Sequence, residues 1–327
     1  IKDGFLAPYK VVRYGLDKDL EGWRPKEGQL DDKGELIEDR EFTRADFDRR
    51  LVLDKRTKLV AEKVTAFLKK TDRYSKTIIF CEDVDHAERM RKEIVNLNKD
   101  LTAEERRYVM RITGDDDIGK SQLENFIDPE STYPVIACTS RLMTTGVDAQ
   151  TCKLIVIDKN IGSVDEFKQI IGRGTRINEE YNKLFFTIID FRDATRLFAD
   201  PSWDGDPIKD PNWPPDTKPT PGTPIPNPIP PNPGESVIKY FVKDVEVNVT
   251  SERISYVNTD GKLITESLKD YSCKKVKAEF ATLNEFLTAW KESDRKQAVI
   301  DELASKGLVL EALEDQFGKD FDAFDLL

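Results

Sequence analysis

KTIIFCEDVDHAERMRKEIVNL, residues 76–97, begins with a run whose four apolar residues are IIFC and continues as a polar stretch with apolar residues at helical spacing. It reads as a strand followed by a helix. Further strand-like runs follow at RYVMRIT (107–113), PVIACT (134–139), KLIVID (153–158) and LFFTIID (184–190). Between them lie KSQLENFID, a segment around TTGVDAQ, and VDEFKQIIGRGTR. Strands and helices in alternation predict an α/β domain over about residues 71–200, with a mostly parallel, RecA-like or Rossmann-like sheet and helices on both faces. Upstream, TRADFDRRLVLDKRTKLVAEKVTAFLKK places apolar residues at 59, 60, 64, 67 and 68, the spacing of a helix packed on that sheet. The first 40 residues read as an extended lead-in with a DDKGEL turn.

Residues 201–234 hold 13 of the 17 prolines and read as a polyproline-like linker, a solvated spacer that excludes helix and central strand. Beyond it, IKYFVKDVEVNVTSERISYVNTDGKLITESL predicts a hairpin with a DG turn, and from Thr282 onward the pattern is helical. The expected plan is therefore a lead-in and packing helix over 1–70, the RecA-like domain over 71–200, the linker over 201–235, and a small α+β, mainly helical domain over 236–327. The chain begins with Ile1 and shows no signal sequence, so a fragment in a cytoplasmic setting is expected. No apolar run reaches the roughly 18 residues of a membrane helix. Cys81, Cys138, Cys152 and Cys273 are scattered with no CxxC pair, and the first three sit in or beside apolar runs, which fits reduced, buried thiols. His86 is the single histidine, which excludes His-rich zinc sites; its polar, helix-like surroundings predict a surface position. A net charge of −11 argues against a protein that coats nucleic acid, so any DNA contact is local.

Gly114-DDDI-Gly119-Lys120-Ser121 satisfies the phosphate-loop pattern GxxxxGK followed by Ser or Thr, and LIVID ending at Asp158 invites a complete nucleotide site. The electrostatics oppose that reading. A cradle for a polyanion aims amides and a lysine inward, whereas Asp115, Asp116 and Asp117 occupy the loop. Each like-charge contact at about 4 Å costs roughly 4 kcal/mol at an effective dielectric of about 20. An acidic turn capping the next helix is the better reading.

Gln169, Arg173 and Arg176 in QIIGRGTR are spaced i, i+4, i+7, which on a helix puts an amide and two guanidiniums on one face, with Gly172 and Gly174 leaving room for close approach. Two donor forks aimed together suit a phosphate gaining charge in a transition state. On spacing alone, ion pairs with Glu166 and Glu179 explain them equally well. Thr139 to Asp148, TSRLMTTGVD, follows a strand and offers hydroxyls, Gly146, and an acid able to accept from a ribose hydroxyl. The two elements on consecutive βα units are far more specific than either alone.

With these residues in view, CTSRLMTTGVDAQTC (138–152) resembles motif V and EFKQIIGRGTRI (166–177) motif VI of superfamily 2 helicases and translocases. KTIIFCEDVDHAERM resembles motif IV, and RITGD (111–115) the neighbouring nucleic-acid-contacting segment. The wording TTGVDAQTCK, EFKQIIGRGTRI and IIDFRDATRLF is similar to the R subunit of type I restriction-modification enzymes, and VKDVEVNVTSERISYVNTDGKLITESLKDY to the domain that ends one branch of it. The resemblance covers nearly the whole chain. It implies the second RecA-like half of a motor that hydrolyses ATP with Mg2+, pulls double-stranded DNA and cleaves it at a distance. On that pattern Arg173 and Arg176, with Gln169 beside them, meet the γ-phosphate held by the other half, and Gly146 and Asp148 lie near the ribose. Thr113, Gly114, Thr139, Ser140 and, more weakly, Lys120 touch the DNA backbone. The domain after the linker docks on the methyltransferase (M) and specificity (S) subunits.

The sequence contains no credible phosphate loop, no DEAD-like magnesium box and no nuclease motif in a suitable strand context; the family places all three upstream. Half an ATP site is expected to be inactive alone. Another superfamily 2 DNA or RNA helicase, or an interaction module on a RecA-like scaffold, remain as competing readings.

Overall fold

The computed structural model describes residues 9–140, 149–174, 183, 186–197, 238–257 and 263–267. In chain order the strands are β1 (Tyr9–Leu16), β2 (Leu51–Leu53), β3 (Thr77–Cys81), β4 (Val109–Arg111), β5 (Ile136–Thr139), β6 (Leu154–Asp158), β7 (Phe186–Asp190), β8 (Tyr240–Val242), β9 (Val249–Val257) and β10 (Leu263–Ser267). The helices are α1 (Asp17–Glu21), α2 (Asp54–Lys70), α3 (Val84–Leu97), α4 (Lys99–Glu104), α5 (Asp117–Ser121), α6 (Leu123–Ile127), α7 (Val164–Ile171) and α8 (Ala194–Leu197). Each apolar run of the RecA-like region contains a strand, and the foreseen packing helix is α2, which buries Val60, Ala61, Val64, Phe67 and Leu68.

The main sheet has the order β10-β9-β1-β7-β6-β3-β5-β4. From β1 to β4 every neighbouring pair is parallel. Every residue of β3, β5, β6 and β7 is buried, as strands covered on both faces require. The period of two sorts them into two cores. Ile79, Cys81, Cys138, Val156 and Ile189 face α2 and α3, whereas Ile78, Phe80, Ala137, Ile155, Ile157 and Ile188 face α6 and α7. The thiols of Cys81, Cys138 and Cys152 are free and buried; Cys273 lies outside the described residues.

The chain order reverses beside β3: β4 and β5 lie on one side of it, β6 and β7 on the other. The carboxyl ends of β5, β3 and β6 therefore flank a topological switch point, where open α/β sheets collect ligands.

Two sequence boundaries give way. The lead-in contains β1, a central strand paired in parallel with β7 and antiparallel with β9. The hairpin after the Pro-rich segment forms as β9 and β10, but it extends this same sheet, and β8 pairs with β2. The separate second domain expected over 236–327 is thus corrected for its described strands: hydrogen bonding between strands far apart in sequence joins β9 and β10 to the main sheet and β8 to β2. The helical stretch from Thr282 onward lies outside the described residues. No helix among those described is long and apolar enough to cross a membrane.

Candidate functional site

At the carboxyl edge, β4 and β5 end side by side. Arg111 is in register with Cys138, and the Ile112 amide donates to the Cys138 carbonyl at 2.9 Å, so Thr113 and Thr139 leave neighbouring strands together. Both threonines are buried, Ser140 nearly so, and Gly114 is exposed. Among the described residues the Thr139 hydroxyl has no hydrogen-bond partner. Four of the five residues expected on the DNA backbone are brought together here. Lys120 follows on α5, exposed to solvent.

The same turn carries the residues of the phosphate-loop pattern. Asp116 caps α5, its carboxylate accepting from the Ile118 amide at 3.1 Å, the type of group a bound phosphate would need. Arg111 lies 3.3 Å from Asp116 as well. A Cβ on Gly119 would stand 1.9 Å from the Arg111 carbonyl oxygen, so this glycine serves the seating of α5 on the end of β4. The acidic capping turn is what forms.

The arginine-bearing segment follows β6. Ser163 caps α7 by accepting from the Glu166 amide at 3.1 Å, the S-x-x-E arrangement of a capping box. Lys159, at the end of β6, donates to Glu166 at 2.6 Å, and the Gly162 amide donates to its other oxygen at 3.0 Å. Burial alone would raise the Glu166 carboxyl; the Lys159 and Gly162 bonds outweigh it and hold it below the usual carboxylate range. Glu166 is therefore committed to Lys159, which removes it as the surface partner of an arginine. Phe167, Ile170 and Ile171 are buried, while Gln169 is exposed.

The expectation of one continuous helix carrying three residues on a face is corrected. The helix ends at Ile171, and the Arg173 and Gly174 amides make i to i−3 bonds to Ile170 and Ile171 at 3.2 and 2.9 Å. Arg173 nevertheless stays beside Gln169, donating from Nε to its carbonyl at 3.0 Å. Gly174 is the residue that lets this turn close onto β7, since a Cβ there would lie 2.4 Å from the Phe186 ring. Arg176, Gly146 and Asp148 lie outside the described residues.

Sequence reasoning missed a buried charge cluster at the ends of β6 and β7. Asp158 Oδ1 accepts from Arg56 Nη1 at 2.8 Å and Arg192 Nε at 2.9 Å. Asp48 accepts from Arg192 Nη2 at 2.7 Å and Arg89 Nη2 at 2.8 Å, and Arg56 is held by both oxygens of Asp19. His86 is fully buried at the centre, correcting its expected surface position: Nδ1 accepts from the Glu82 amide at 3.2 Å and Nε2 lies 3.3 Å from Asp158 Oδ2. Asp48, His86 and Asp158 bring three potential ligand atoms within 4.8 Å of one another. Three guanidiniums already neutralise the carboxylates, so a dication would add positive charge to a balanced cluster. Asp158 is equally unavailable to magnesium. Burial pushes the Asp48 carboxyl up, but His86, Arg192, Arg56 and Arg89 together pull it down to about 2; Asp158, also raised by burial, is depressed further by Arg56, Arg192 and His86. The only sequence signals were a solitary histidine and the arginine of DFRD.

Comparison with known proteins gives a consistent picture. The family model of the helicase conserved C-terminal domain matches residues 58–178. Over the whole chain the sequence is 49% identical to the type I restriction enzyme EcoAI endonuclease subunit of Escherichia coli, of which it covers 44%. It is 31% identical to the EcoKI endonuclease subunit of Escherichia coli K12, over 58% of this chain and 17% of that one. A solved fragment of an HsdR subunit of a type I restriction enzyme from Vibrio vulnificus superimposes with a TM-score of 0.50 at 43% identity, covering 62% of this chain and 35% of that one. The chain thus spans less than half the length of the curated relatives it matches.

Proposed function

We propose that the chain, 49% identical to the EcoAI endonuclease subunit, is part of the R subunit of a type I restriction enzyme and supplies the second RecA-like half of an ATP-driven motor on double-stranded DNA. The observation that carries this reading is the arrangement along the carboxyl edge. Paired strand ends present Thr113, Gly114, Thr139 and Ser140, while α7, its acid already engaged, leaves Gln169 exposed and Arg173 beside it.

ATP and Mg2+ are held mainly by the partner RecA-like half. Arg173 and Arg176 approach the γ-phosphate from this side, neutralising charge that develops as the terminal phosphoryl group transfers to water. Gln169 lies next to them, and Gly146 and Asp148 serve the ribose. Small hydroxyls and amides at the ends of β4 and β5, with Lys120, contact the DNA backbone without reading bases, as sequence-independent movement requires. In the whole enzyme the subunit works with the M and S subunits and cleaves DNA as a type I site-specific deoxyribonuclease.

The test is alanine substitution of Arg173 and of Arg176 in the full-length R subunit, assembled with its partners. Loss of an arginine finger lowers ATP turnover by about 10³-fold or more. DNA-dependent ATPase at the wild-type rate in both variants refutes the motor reading and leaves a scaffold.

A further inference from the structure

The loop from β6 to α7 is clamped at both ends by carboxylates. Asn160 donates from its amide and from Nδ2 to Glu82 Oε2 at 2.8 and 3.1 Å, and Arg49 pairs with the other oxygen of Glu82. Six residues on, Glu166 is gripped by Lys159, the Gly162 amide and, through its own amide, the Ser163 hydroxyl. The Lys159–Glu166 pair differs from an ordinary surface ion pair. The Lys159 side chain is only 7% exposed, so removing its partner strands a buried ammonium.

We propose that Lys159 and Glu166 are positioning residues for Arg173, fixing the start of α7 so that this side chain, one residue past the C-cap, reaches the phosphate at a set distance. This rests on the motor reading above. The geometry gives the reason. An eight-residue helix is about 12 Å long, so a tilt of roughly 5° at its base moves the far end by about 1 Å. Misplacement of that size costs on the order of 10² in rate when a group must meet a transition state. A helix held at its start by one hydroxyl cap alone would tolerate such a tilt; a helix also tied to the end of a central strand does not.

The experiment uses the full-length R subunit assembled with its partners, comparing wild type, Glu166→Gln, Lys159→Arg, Arg173→Ala and the double variant Glu166→Gln/Arg173→Ala. Glu166→Gln keeps the shape and an acceptor for Gly162 but removes the charge that Lys159 needs. Its DNA-dependent ATPase kcat is expected to fall about 10- to 100-fold, with KM for ATP within about twofold of wild type. Lys159→Arg, which keeps the ion pair, retains most of the rate. On the Arg173→Ala background Glu166→Gln costs nothing further, because the group it positions is gone. A kcat for Glu166→Gln within about twofold of wild type overturns the proposal. So does an equal fold-loss on both backgrounds, which marks an effect that bypasses the arginine. If Glu166→Gln melts below the assay temperature, Lys159→Met is judged by the same two criteria. Wild-type ATPase in Arg173→Ala and in Arg176→Ala alike instead brings down the motor reading, a result separable from failure of the positioning role alone.

Discussion

Asp48→Asn isolates the charge at the centre of the buried cluster. Asp48 is fully buried and sits at φ 68°, in the left-handed region that Asn tolerates about as well as Asp, so the backbone is not the variable. The substitution mimics permanent protonation. The carboxyl titrates at an ordinary 3.8 when unfolded and at about 2 when folded, so ionisation contributes about 2 kcal/mol of stability at neutral pH. Because the folded value is the lower one, that contribution is complete above pH 3.8 and drains away as pH falls toward about 2. Losing one partner of a buried ion pair commonly costs about 3–5 kcal/mol, which makes about 2 kcal/mol the floor of the expected loss. Arg192 retains Asp158 and Arg56 retains Asp19, but Arg89 loses its one carboxylate partner among the described residues, so a loss above that floor is the better expectation. Urea unfolding followed by circular dichroism measures it; a melting-point drop of about 4–8 °C is the thermal counterpart. The gap between wild type and variant should close as the pH is stepped from about 4 down to about 2. A loss under about 0.5 kcal/mol at neutral pH, or one that ignores pH over that interval, refutes the account of the cluster.

Gly174→Ala forces a methyl group into the Phe186 ring and should cost about 1–3 kcal/mol in unfolding experiments; native stability would show that the turn does not pack as described. Lys120→Ala should leave stability and nucleotide affinity unchanged while lowering duplex DNA affinity and reducing its salt dependence by about one phosphate contact. Loss of all ATP affinity in that variant would restore the phosphate-loop reading. A protease site engineered into residues 201–237 and cut should leave the two pieces associated through size-exclusion chromatography, since β1 holds β9 and β2 holds β8. Separation of the pieces contradicts the sheet order.

Local chemistry was legible in the sequence. Mostly apolar runs such as TIIFC and LIVID mark strands covered on both faces, so the parallel core and its two helical layers follow from composition and period, apart from the acid at Asp158. The rejection of the phosphate loop was likewise local, because Asp116 competes for an amide two residues away. Spacing singled out Gln169, Arg173 and Arg176 as candidates, but not the end of α7 at Ile171, which depends on Gly174 closing against Phe186. What tertiary structure alone decided are the long-range pairings. Lys10 lies opposite Tyr256, Arg56 reaches Asp158 across 102 positions, and Arg192 reaches Asp48 across 144. A periodicity records which face of an element is buried. It carries no information about which distant strand completes a sheet edge or which distant guanidinium neutralises a buried acid, and so β1, β9 and His86 acquire their places only when the chain has folded.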